Sequence, residues 1–161
     1  MDSAKLNDWI QIIGIFALVA SLVFVGFQIK QTHEIAESNA YQSRASTSIE
    51  LSAMRASTPD FTSAMAKIYA GNSDELTPQE EITVEYFFGA IMTMLENHHF
   101  QFEAGFLPDE HWEKNLAELR CDLSLPLFRE MIDYWEWRPS FQAVIDEIKA
   151  DVATNPIDCW E

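Results

Sequence analysis

Glu96, His99 and Glu103 are the residues best suited by type and spacing to do chemistry. On an α-helix, steps of three and four place their side chains on one face. Two hard carboxylates with an imidazole suit iron, manganese or zinc. Glu-x-x-His is also the pair that each of two helices supplies to a ferritin-like di-metal site. Such a site needs a second Glu-x-x-His and further glutamates on facing helices, and this chain has one such pair. His33 with Glu37, or Glu50, could complete the set from the first helix. The bland alternative is polar decoration of a helix in an acidic protein. The expected cofactor is therefore none, with a metal ion at Glu96, His99 and Glu103 as the alternative.

Other candidates are weaker. His98 falls on the apolar side of the same helix, where a hydrogen-bonded core histidine is the commoner outcome. His111 follows Asp109 and Glu110 in the first turn of the next helix and reads as a surface residue. No Gly-x-Gly-x-x-Gly, Walker loop, Gly-x-Ser-x-Gly, His-Glu-x-x-His or Cys-x-x-Cys is present. Ser38, Ser43, Ser46 and Ser48 have no nearby histidine in sequence to activate them. The stretch from Tyr134 to Phe141 is dense in aromatics. Trp135 and Trp137 within it either close a helical bundle or present a partner surface.

The elements that would position these residues are read from periodicity and breakers. Residues 9–29, WIQIIGIFALVASLVFVGFQI, contain no Asp, Glu, Lys, Arg or Pro. About 20 apolar residues at ~1.5 Å each span the hydrocarbon core of a bilayer. The run is too long for a signal-peptide core, lacks a basic leader and ends without Ala-x-Ala, so a retained anchor is expected. No Gly or Pro lies between Phe27 and Thr58. One helix of about 50 residues, near 75 Å, is the simplest reading. Gly14, Ala17, Ser21 and Gln28 share one face of it. Small residues let helices approach closely in lipid, so this face is a candidate transmembrane contact. Chance small residues in an anchor are the alternative.

Beyond Pro59 the punctuation stays helical. Thr58-Pro59 opens a short helix that Gly71 ends, and Thr77-Pro78-Gln79-Glu80 is a capping box. The helix it opens carries Val84, Phe87, Phe88, Ile91, Leu95, His98 and Phe102 on one face and stops at Gly105. Further helices start near Pro108, Leu125 and Pro139. No hairpin signal or sustained alternation appears. The expected fold is all-α, with one transmembrane helix continuing into a long stalk helix, then a small helical bundle. The expected divisions are a tail at 1–8, the transmembrane helix at 9–29, the stalk at 30–57 and an acidic bundle at 58–161.

Charge is uneven. Of 10 Lys/Arg and 26 Asp/Glu, residues 1–58 hold four and five, leaving six and twenty-one beyond, a net of −15. Nucleic acid is excluded as a partner by that repulsion. The bilayer, a second copy or other membrane subunits are the expected partners. Lys30 and Arg44 after the run, against Lys5 before it, favour a cytoplasmic C-terminal domain by one residue. Cys121 and Cys159 bear on the same question, since a pair would form outside the cytosol and stay reduced inside it. Their spacing has no metal-site pattern.

The chain resembles a broad group of small bacterial single-pass membrane proteins. The resemblance rests on Gln28-Ile29-Lys30-Gln31-Thr32 at the end of the membrane run and on Ala40-Tyr41-Gln42. It continues through Glu96-Asn97-His98-His99-Phe100-Gln101-Phe102, Gly105 and Asp109-Glu110-His111-Trp112. It implies an inner-membrane location and an all-helical domain, and it implies no activity. In that group the position of His99 is often not a metal ligand. The function expected is contact, as a homo-oligomer or an accessory subunit of a membrane complex, rather than catalysis.

Overall fold

The computed structural model describes residues 3–155 and 159, with side chains described from residue 7 onward. The ends of the expected tail and of the acidic domain lie outside those residues. Every extended element among the described residues is a helix, with two short 3-10 turns between them. The helices are α1 (Ser3–Ser57), α2 (Pro59–Tyr69), α3 (Pro78–Glu103), α4 (Asp109–Ser124), α5 (Pro126–Met131) and α6 (Pro139–Thr154). The chain divides into two compact units, 1–45 and 46–161.

The first unit is the body of α1. Its apolar run is bare: Phe16 is 71% and Leu22 72% exposed. No other helix among the described residues is long and apolar enough to cross a membrane. A helix suits that role because it satisfies every backbone N–H and C=O within itself. Nothing lies within 4 Å of the place where a Cβ on Gly14 would stand.

The second unit is a packed helical domain, and it takes in the end of α1 from Ser46. Pro59, Pro78 and Pro126 each stand at the first position of a helix, where the missing N–H costs nothing. The capping box forms: Glu80 N donates to Thr77 Oγ1 at 3.3 Å, and Thr77 N donates to Glu80 Oε2 at 2.8 Å. α2 and α3 both end in Schellman motifs. At α3, Phe106 N bonds Gln101 O and Gly105 N bonds Phe102 O; at α2, Asn72 N bonds Lys67 O and Gly71 N bonds Ile68 O. Each needs a left-handed residue at the turn, and Gly105 (φ 76°) and Gly71 (φ 77°) supply it.

α2 lies along α3 and α4 lies along α6. The core between them is built on Phe88, Met92, Leu119, Leu123, Phe141 and Ile145, all essentially inaccessible. Phe88 stacks on Phe128 with ring centroids 4.6 Å apart. The buried face of α3 is Val84, Phe88, Met92, Leu95 and then both His98 and His99. It is rotated slightly from the face expected, because α4 and α6 cover the side that carries His99.

Candidate functional site

α3 delivers Glu96, His99 and Glu103 to one face, as their spacing requires, but that face meets protein. His99 is buried against Trp112 and Phe141, with centroids 5.1 and 5.6 Å away. Glu96 Oε1 accepts from the backbone N–H of Arg138 at 2.7 Å, at the N-terminal cap of α6. Glu103 Oε2 accepts from Ser140 Oγ at 3.2 Å and stands 3.8 Å from His99 Nδ1. Both carboxylates thus hold the start of α6, where the positive end of the helix dipole favours an anion. Among the described residues no group of three His, Cys, Asp or Glu side chains is placed to hold a metal ion. His98 is buried, and Asn115 Nδ2 lies 3.2 Å from its Nδ1.

Trp135 and Trp137 are half-buried and pack against the core. Their rings stand 6.0 Å apart, and Trp137 meets Phe141 edge-on. Trp137 Nε1 donates to Ile132 O at 3.1 Å. Their main contacts are therefore internal. Trp135 lies over Gly89 of α3, where a Cβ would come within 2.9 Å of its Cζ2. Gly14, Ala17, Ser21 and Gln28 all lie on the exposed length of α1.

The concavity of interest is elsewhere in the helical domain. It has a volume of about 650 Å³, within the range of small-molecule sites. Leu51 and Arg55 of α1 form one wall, Ile91, Met94 and Leu95 of α3 a second, and Ala117, Glu118 and Asp122 of α4 a third. Ser48, Ser52, Tyr69, Lys114 and both cysteines complete the lining. Burial pushes the Asp122 carboxyl up to about 6, against the pull of Arg55 and with the help of Glu118. Burial also raises the Tyr69 hydroxyl. Arg55 Nε is buried with no hydrogen-bond partner among the described residues. Its guanidinium lies 6.0 Å from the centroid of the Phe61 ring.

The sequence pattern gave one faint signal of this site. Asp122 falls between the buried Leu119 and Leu123, so part of its helix face had to be covered. Arg55 carried none. Cys121 and Cys159 are joined in a disulfide with a Cα–Cα distance of 5.7 Å, tying the segment after α6 to α4.

A second carboxylate is placed quite differently. Glu80 receives Ser63 Oγ and Lys67 Nζ, both at 2.6 Å, as well as the Thr77 N–H. Lys67 foremost, then Ser63 and Thr77, holds its carboxyl down to about 2.

No family model matches the chain, and no curated protein or solved structure is significantly similar to it. The fold and the residues themselves therefore carry the functional reading: an all-α chain with one bare apolar helix and a small packed helical domain.

Proposed function

We propose that this protein is a single-pass membrane protein of the bacterial inner membrane whose helical domain acts by contact, with itself or with other membrane subunits. The carrying observation is the exposed apolar length of α1, residues 9–29, which no part of the described chain covers. Left in water, so long an apolar surface would drive aggregation; in a bilayer it is at home. The face of Gly14, Ala17, Ser21 and Gln28 suits a neighbouring helix. The resemblance in sequence supports the bacterial setting.

The side of the membrane follows from weighing two signals. Basic residues favour a cytoplasmic domain by a single residue. The Cys121–Cys159 disulfide favours an oxidising compartment, and cytosolic thiol pools reduce such bonds. A paired disulfide outweighs a margin of one, so the proposed placement is extracytoplasmic, opposite to the expectation from charge alone.

Membrane fractionation with carbonate washing tests the anchor, and release of the protein into the wash refutes it. Native mass measurement in mild detergent tests contact, and a strict monomer that co-purifies with nothing refutes that. Protease added to spheroplasts tests the side: an extracytoplasmic domain is digested without lysis.

A further inference from the structure

We propose that the cavity between α1, α3 and α4 binds a zwitterionic small molecule of the amino-acid class: a carboxylate facing Arg55, an ammonium facing Asp122, and an apolar side chain.

Two observations converge on this chemistry. First, the cavity is amphipathic in an ordered way. Its apolar lining is Leu51, Ile91, Met94 and Leu95, while opposite charges enter from two different helices, Arg55 from α1 and Asp122 from α4. Second, the two charges attract but do not close on each other. Both line the cavity, and no direct ion pair joins them among the described residues. Structural ion pairs close to hydrogen-bond distance, as Lys67 and Glu80 do at 2.6 Å. A lone anion would answer Arg55 and leave Asp122 facing like charge. A lone cation would do the reverse. A zwitterion answers both, and its carbon chain meets the α3 wall. Burial of the Asp122 carboxyl, which resists ionisation on its own, agrees with a site completed by a bound ammonium.

The volume of about 650 Å³ admits an amino acid as large as tryptophan. Glu118 and Lys114 at the lining carry opposite charges, so they leave the site without net preference for a simple ion.

The test is calorimetric titration of the full chain in detergent micelles with L-leucine, L-methionine, L-phenylalanine and L-tryptophan. At least one is expected to bind saturably. For that ligand, the N-acetyl derivative and the carboxamide should each bind at least tenfold more weakly, since each lacks one charge. Asp122→Asn and Arg55→Gln should each weaken the parent ligand at least tenfold. The analogue series on the unaltered protein keeps the test decisive where a variant fails to fold. Absence of saturable binding below about 10 mM for all four overturns the proposal. So does an N-acetyl derivative or a carboxamide that binds as tightly as its parent, or binding that survives both substitutions.

Discussion

Replacing Asp122 with asparagine removes a charge that the fold shelters poorly. Its carboxyl titrates near 6 in the folded protein, against an ordinary value of 3.8. Between those values the folded chain holds a proton that the unfolded chain has released. Stability therefore falls as pH rises through that window, and the full penalty is present above about 6. A difference of about 2 units at ~1.4 kcal/mol each gives a penalty of roughly 3 kcal/mol at pH 7.5. Asparagine keeps the shape and carries no charge, so Asp122→Asn should raise stability by up to that amount. For a domain of this size ~1 kcal/mol moves Tm by about 4 °C, so the shift is on the order of 10 °C. Denaturant unfolding of the full chain in micelles, followed by tryptophan fluorescence at pH 7.5 and pH 4, reads it directly. The gain should be large at the higher pH and nearly absent at the lower. A variant less stable than the parent at both values refutes the reasoning, because it means that attraction to Arg55 exceeds the cost of burial. The companion change Arg55→Gln should move the transition to higher pH, since it removes the charge that holds Asp122 down.

Four further outcomes follow from the same geometry. Glu80 has the opposite sign: its carboxyl is held down to about 2, so the stability it adds is complete above about 4.5 and is lost as pH falls toward 2. Acid unfolding curves of Glu80→Gln should accordingly be flatter over that range than those of the parent. Thr77→Ala removes the cap acceptor of Glu80 N and should cost about 1 kcal/mol by denaturant unfolding. Gly89→Ala should fail to deliver the ~1 kcal/mol that alanine normally adds to a helix, because its Cβ meets Trp135 at 2.9 Å; displacement of Trp135 should appear as a changed fluorescence maximum. Removing the disulfide with Cys121→Ser should cost up to about 4 kcal/mol in thermal unfolding, since it frees a loop with a sequence separation of 38.

Much of the architecture was written in local signals. α1 runs to Ser57 because no breaker follows Phe27 and the Ala-, Glu- and Gln-rich stretch beyond it favours propagation of a helix already formed. Thr77 and Glu80 declared the start of α3 within four residues, and Gly71 and Gly105 declared two ends. Burial of His99 was a different matter. Its neighbours Glu96 and Glu103 are polar, so its helix face reads as solvent-exposed until α6 docks there. Trp112 and Phe141, which cover it, are remote in sequence, and no spacing rule joins them. The cavity was hidden for the same reason. Its lining runs from Ser48 to Cys159 through α1, α3 and α4, and only tertiary packing gathers it.

Two groups of carboxylates in this domain differ in what the fold gives them, and the difference locates the chemistry. Glu80, Glu96 and Glu103 are each met by donors from a second element: Ser63 and Lys67 for the first, the Arg138 N–H for the second, Ser140 for the third. Such carboxylates fasten helices together. Asp122 and Arg55 both line a cavity large enough for a small molecule, and no direct ion pair joins them among the described residues. A fold that gains nothing from an ionised carboxylate, and loses stability by holding one, is the setting in which a bound partner changes the balance. The residues most suggestive by spacing, Glu96, His99 and Glu103, thus meet the start of α6 and the core, while those that spacing did not mark, Arg55 and Asp122, line the cavity without pairing directly. Ligand binding at that pair should raise Tm with the logarithm of ligand concentration above its Kd. Because asparagine at position 122 relieves the same strain without a ligand, the stabilisation by ligand and by substitution should not add.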